Sequence, residues 1–172
     1  PMLRGEHVTF SGEHYRVNDA FNFPTPISDI PIMIGGSGEK KTLRMVAQYA
    51  DESNLGGCPV EEYPRKLDAL AAHCERLGRD RSQIKVTNLT NCCIAPTAEQ
   101  AGAELAAMGA AKGWPDEVVQ MAKGVLVFGD PDSVGEQLAA MMETGIDGLC
   151  ISMVVNGHIP ERVSLLGEVA SR

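Results

Sequence analysis

From residue 31 onward the chain alternates four times between a short apolar run and a longer stretch whose apolar residues recur every three or four positions. A strand has a side-chain period of two and a helix one of 3.6, so this alternation restricts the segment to repeated strand–helix units. The runs at 31–34, 50–55, 84–95 and 149–154 are the strands. A helix over 40–49 carries Leu43, Val46, Ala47 and Ala50 on one face. A second, over 60–77, presents Leu67, Leu70, Ala71 and Cys74 as a buried stripe and stops at Gly78. Thr97, with Gln100 three residues later, opens a third over 98–112 as a capping box. Residues 114–123 read as a shorter helical turn, and 125–128 lead into Gly129-Asp130-Pro131-Asp132. A helix over 132–144 then places Val134, Leu138 and Met141 on one face, and a last one spans 160–171. Such alternation predicts an α/β fold with a parallel sheet, and strands apolar throughout predict a sheet covered on both faces. Pattern alone fits both an open doubly wound sheet and a piece of a closed barrel.

The first thirty residues follow another rule. The β-type runs 7–10 and 14–17 flank Ser11-Gly12-Glu13 as a hairpin, and a proline-rich connector from Pro24 to Pro31 cannot be helix interior. The organisation expected is one domain, with hairpin and connector over 1–30 and four βα units over 31–172.

A net charge of −8 repels phosphate backbones and anionic lipid, which argues against nucleic acid or membrane as the main partner and says nothing against a small anionic cofactor held by a local loop. No run approaches the ~20 apolar residues of a membrane helix. The five cysteines, Cys58, Cys74, Cys92, Cys93 and Cys150, are odd in number and lack C-x-x-C spacing. They predict neither a disulfide framework nor a metal site, but reduced thiols in a cytoplasmic protein. Of the adjacent Cys92 and Cys93, at most one can face a barrel interior.

The segment richest in chemistry is Gly35-Gly36-Ser37-Gly38, which follows a strand and opens a helix. Glycine lets backbone approach a ligand closely, and a helix start offers free N–H groups and a positive dipole end, so the loop is built like a phosphate site. Ser37 adds a hydroxyl, and Lys40 and Lys41 add local positive charge. Two better-known phosphate motifs do not match. Lys41 stands where the dinucleotide fingerprint needs its third glycine, and Glu39 follows Gly38 where a Walker loop needs lysine. A plain strand-to-helix turn is the competing reading. Asp51 and Asn54 close the second strand, His14 and Tyr15 sit in the hairpin, His158 follows the last strand, and His73 reads as structural. No Ser/His/Asp or Cys/His constellation assembles, so the catalytic residues stay unassigned.

Taken as one string, residues 31–44 through Ala50-Asp51-Glu52-Ser53-Asn54 resemble the luciferase-like monooxygenase superfamily, most closely its coenzyme F420-dependent oxidoreductase branch. Residues 10–15 look like that family's hairpin before the fifth strand. Gly129-Asp130-Pro131 with Gly145-Ile146-Asp147-Gly148 looks like its approach to the eighth. The resemblance implies the C-terminal half, strands five to eight, of a TIM (β/α)8 barrel preceded by a small β-hairpin insertion. It implies hydride transfer between coenzyme F420 and a small organic substrate. FMN with monooxygenation is the alternative, because both cofactors share the ribityl-phosphate. Gly35 and Gly36 would contact that group, Ser37 would donate to phosphate, and Gly38, Lys40, Lys41 and Asn54 would complete the cofactor site. The family's ring-facing and proton-handling residues lie mostly on strands one to four, so a catalytically incomplete half-barrel or assembly subunit is a further alternative. A half barrel has two open edges, and the chain is expected to form a homo-oligomer or to pair with an N-terminal half.

Overall fold

The computed structural model describes residues 1–171. Contacts divide the chain into a unit over Pro1–Ile32 and a larger one from Met33 onward.

In the first unit, strands β1 (Val8–Ser11) and β2 (Arg16–Ala20) pair antiparallel. The second strand runs three residues beyond the expected Val17 because the ladder absorbs an irregularity between Val8 and Phe10. Asp19 sits there with φ of 48°, a conformation Asp tolerates when locally hydrogen-bonded. Its N–H donates to Thr9 Oγ1 at 3.1 Å, and its carboxylate lies 2.8 Å from His7 Nδ1.

The larger unit is a parallel sheet wrapped by helices. Its elements run β3 (Met33–Gly35), α1 (Thr42–Tyr49), β4 (Glu52–Leu55), α2 (Tyr63–Leu77), β5 (Lys85–Ile94), α3 (Ala98–Ala111), α4 (Asp116–Val125), β6 (Val127–Gly129), α5 (Pro131–Glu143), β7 (Gly148–Ser152) and α6 (Pro160–Ala170). The order β3-β4-β5-β7 is parallel throughout, with β3 and β7 each paired on one side among the described residues. Asp147 pins the start of β7: its N–H donates to the Val86 carbonyl and its Oδ2 accepts from the Val86 N–H, at 2.6 and 2.7 Å. Thr97 caps α3 as the sequence predicts, its Oγ1 accepting the Gln100 N–H at 3.2 Å.

Several expectations are corrected. The sheet has five strands rather than four, because β5 is ten residues long and its overhanging end, Cys92–Ile94, pairs with Val127–Gly129. Helix α4 reaches Val125, so that residue ends a helix instead of beginning the strand approach. Strand β7 stops at Ser152, and Val155 and Asn156 are buried in the turn that follows. Ala71 is exposed; Lys66 takes its place beside Leu70 and Cys74 on the buried face of α2.

One sheet face is covered. Ile34, Leu55, Val86, Cys92, Ile94 and Ile151 pack under α1, α2, α5 and α6 in the main core. Cys93 points the other way and joins a second core with Ala101 and Leu105 of α3 and Val155. Nearer the start of β5 that second face is open, with Met33 49% and Leu89 53% exposed. The expectation of a sheet covered on both faces therefore holds only toward the carboxyl end of β5.

Candidate functional site

The glycine loop leaves the carboxyl end of β3, where Gly35 lies opposite Asn54 in the ladder. The Gly36 N–H donates to the Asn54 carbonyl at 2.9 Å, and Gly36 has φ of 118°, outside what side-chain-bearing residues adopt readily. Leu43 N–H then reaches back to the Gly38 carbonyl at 3.0 Å to start α1. Between these two bonds, the N–H groups of residues 37–41 donate to no acceptor among the described residues. Ser37 is half-buried with its hydroxyl unpartnered there, and Lys40 and Lys41 are exposed without an ion pair among the described residues.

Glu39, which breaks the Walker pattern, anchors the loop from behind. Its Oε1 accepts from Lys66 Nζ at 2.8 Å and lies 3.1 Å from Arg65. Its carbonyl lies 2.7 Å from His73 Nε2. A carbonyl only accepts, so His73 carries its proton on Nε2, and Nδ1 takes the donor from Arg76 at 3.0 Å. Lys66 also meets Glu62 at 3.0 Å. The hydrogen bond from Lys66 holds the Glu39 carboxyl below its usual range against partial desolvation, and the same bond raises Lys66. The one acidic residue in the loop is thereby turned toward α2 and neutralised. His73 is structural, as the sequence suggests.

Beside the loop, the open sheet face carries a polar chain across three strands. Thr87 Oγ1 donates to Glu52 Oε1 at 2.8 Å, Asn54 Nδ2 donates to Thr87 Oγ1 at 2.8 Å, and Asn54 Nδ2 also reaches Cys150 Sγ at 3.7 Å. Sequence reading found Asn54 and missed Glu52, Thr87 and Cys150. Glu52 and Asn54 share a face by period two, but only the strand register brings Thr87 and Cys150 to them. Gly35, Gly36 and Asn54 are thus brought together, with Ser37 and Gly38 continuing the loop and Lys40 and Lys41 just beyond it. His14 and Tyr15 are exposed in the hairpin turn, His158 is exposed after β7, and Asp51 is exposed before β4. Burial pushes the Cys92 thiol up to about 12 and the Cys93 thiol to about 11, which leaves neither available as a nucleophile. No described helix is long and apolar enough to cross a membrane.

A parallel strand–helix sheet whose glycine turn offers free amides at a strand's carboxyl end defines an α/β class similar in fold to luciferase-like TIM-barrel enzymes. The family model for luciferase-like monooxygenases matches residues 1–148, and the chain belongs to that family. Two relatives are F420-dependent glucose-6-phosphate dehydrogenases. The one from Nocardia farcinica is 29% identical over 86% of this chain and 50% of its own length. The one from Nakamurella multipartita is 34% identical over 48% of this chain and 25% of its own. The chain thus spans half or less of the curated relatives it matches. Among solved structures, an F420-dependent secondary alcohol dehydrogenase with an F420–acetone adduct has a TM-score of 0.72 at 17% identity, covering 98% of this chain and 57% of that one. The F420-dependent tetrahydromethanopterin reductase of Methanopyrus kandleri scores 0.73 at 17% identity, covering 97% and 58%. A long-chain alkane monooxygenase scores 0.59 at 18% identity, covering 95% and 45%.

Proposed function

We propose that this chain is the phosphate-binding half of an F420-dependent oxidoreductase that transfers hydride to a small organic substrate in the cytoplasm. The observation that carries this reading is the run of unpartnered amides at 37–41 opening beside an uncovered sheet face. A phosphate oxygen placed there would take several N–H donors at a helix start. Gly35 fits the same role. A Cβ there would meet nothing nearer than the Asn54 carbonyl at 4.0 Å, so packing within the chain does not require glycine. Its bareness instead keeps the face beside the loop clear for a ligand. Ser37 donates its hydroxyl, Lys40 and Lys41 supply screened positive charge, and Gly38 lets the loop turn closely past Thr42. Bound there, the deazaflavin supplies hydride chemistry. The protein's share is to hold its phosphate end and orient the rest along the sheet.

FMN is the alternative cofactor: a riboflavin lyase of this fold is solved with a modified FMN, and monooxygenases are among the structures of this fold. The open edges at β3 and β7 fit pairing with an N-terminal half barrel or a second copy. Such a partner would supply the ring-facing residues, and without it the chain would be catalytically incomplete. Mass spectrometry of the cofactor released from purified protein tests the reading. F420 is expected, and FMN would favour monooxygenation. Absence of both, with no fluorescence quenching on adding either, would overturn the assignment.

A further inference from the structure

Beyond the glycine loop, two neighbouring strands run on past the others. Strands β3 and β4 end at Gly35 and Leu55, whereas β5 continues to Ile94 and β7 to Ser152. On the open face this taller wall carries Leu89 beside Cys150 and then Asn91 beside Ser152, each pair in register. The Asn91 row stands four residues past the row of Asn54 and Thr87, about 13 Å toward the carboxyl end. The wall then meets a step. Two residues past Asn91, Cys93 is covered by Ala101 and Leu105 of α3 and by Val155 from the turn after β7. That turn is pinned: Asn156, fully buried, donates from Nδ2 to the Ile94 carbonyl at 2.9 Å and to Glu104 Oε2 at 2.6 Å, and Glu104 Oε1 accepts from Arg162 at 2.6 Å. Asn91, exposed, and Ser152, half-buried, thus sit in the corner between an open wall and a fixed ledge. Neither side chain has a hydrogen-bond partner among the described residues. Both are neutral, and both can donate and accept. The charged side chains of this face, Glu52 and Lys85, share a row at its amino end, six residues or about 20 Å from Asn91. Lys123 stands over the Phe128 ring, 4.8 Å from its centre, on the second core.

We propose that Asn91 and Ser152 bind the oxygen of the substrate and select a neutral alcohol or ketone with a short hydrocarbon body over a charged compound. The inference rests on the reading of the chain as part of an oxidoreductase for a small organic substrate and deepens it. Once a partner closes the open face, the Asn91 amide and the Ser152 hydroxyl lose bulk water and need another polar group. A hydroxyl or carbonyl oxygen supplies it, and Leu89, 53% exposed one row below, receives the hydrocarbon. A carboxylate or phosphate monoester would find only neutral groups in that row and would add charge to a chain of net charge −8.

Chemical-shift titration of the full chain with cyclohexanol, cyclohexyl phosphate and inorganic phosphate tests this. Cyclohexanol should shift the Asn91 side-chain amide and the Leu89 methyl groups saturably and leave the amides of residues 37–41 in place. Inorganic phosphate should do the reverse, and cyclohexyl phosphate should leave Asn91 unmoved. Asn91→Ala and Ser152→Ala should each weaken cyclohexanol about fivefold, the effect of one hydrogen bond. Asn91→Arg should bring cyclohexyl phosphate into the corner roughly tenfold more tightly than in the parent, through a charge-assisted pair. Asn91 is exposed, so its variants keep the test open if Ser152→Ala does not fold. Cyclohexanol affinity unchanged in the alanine variants, or equal shifts at Asn91 from cyclohexyl phosphate, would overturn this inference alone while inorganic phosphate still moves residues 37–41. No response to any probe at either place would overturn the oxidoreductase reading beneath it as well.

Discussion

Neighbouring glycines in the loop should respond oppositely to a side chain, and the contrast separates a glycine kept for the backbone from one kept for a ligand. At Gly36 the φ of 118° disfavours any Cβ, and one built there would lie 3.3 Å from Thr42 Cγ2. Holding a non-glycine residue in such a region costs about 2 kcal/mol, which lowers Tm by roughly 4–8 °C in a domain of this size. At Gly35 the backbone lies outside the positive-φ region and the nearest atom is 4.0 Å away. Gly35→Ala should leave Tm unchanged or raise it slightly, since alanine also narrows the unfolded ensemble by about 0.4–1 kcal/mol. Binding should follow a different order. Gly35→Val places a branched side chain on the open face and should weaken F420 or FMN binding at least tenfold while far-UV circular dichroism and Tm hold. Thermal melts followed by fluorescence quenching give both numbers. A Gly35→Ala melt as low as that of Gly36→Ala, or Gly35→Val affinity within twofold of the parent, would refute the reasoning.

Under native conditions at pH 8, iodoacetamide should modify Cys58 and Cys150, which are partly exposed, and spare Cys74, Cys92 and Cys93 until the chain unfolds; peptide mass mapping reads this. Glu104 is held below the usual carboxyl range chiefly by its hydrogen bond from Arg162, against desolvation, so it adds stability above the unfolded carboxyl pKa that is lost as pH falls through the folded one. Tm should therefore drop on acidification, and Arg162→Met, which takes away the charged partner of Glu104 and leaves it only neutral donors such as Asn156, should cost about 3 kcal/mol near neutral pH in denaturant melts. Lys40→Ala and Lys41→Ala should weaken cofactor binding more at low salt than at high salt, and a loss independent of salt for both would point to packing instead. Sedimentation equilibrium should show association beyond 18.4 kDa through the open edges; a stable monomer that binds no hydrophobic dye would argue for a self-contained sheet.

The parts of the fold legible in the sequence are those set by local periodicity and turn chemistry. Leu43, Val46 and Ala47 repeat at helical spacing and are buried, Gly78 adopts the left-handed conformation that ends α2, and Thr97 caps α3. The misreadings arise where tertiary partners decide. Val127–Gly129 is too short to declare itself a strand and exists because β5 overhangs its neighbours. Lys66 sits on a buried helix face, against its usual preference, because Glu39 and Glu62 receive its charge. The glycine loop was readable since its chemistry is contiguous. Its supports were not, because Glu39 meets residues 26 to 34 positions away on α2, and Thr87 and Cys150 reach Asn54 only through strand register.

The same geometry resolves an apparent conflict between the proposed anion site and a chain of net charge −8. At physiological ionic strength, charges more than about 8 Å apart in solvent are largely screened, so the total charge matters less to a bound phosphate than the groups within its first few contacts. Around the loop those groups are amides of residues 37–41, the Ser37 hydroxyl, unpartnered among the described residues, and two exposed lysines. The nearest acid by sequence, Glu39, is committed to Lys66 and Arg65 on the far side. The next, Glu52, lies on the open face and spends an oxygen on Thr87. Both acids near the loop are thus committed to neighbours: Glu39 anchors the loop through Lys66, and Glu52 accepts from Thr87, whose oxygen accepts from Asn54. An acidic residue at either position would look adverse to phosphate in a count of charges, yet each acts through the neighbour it orients.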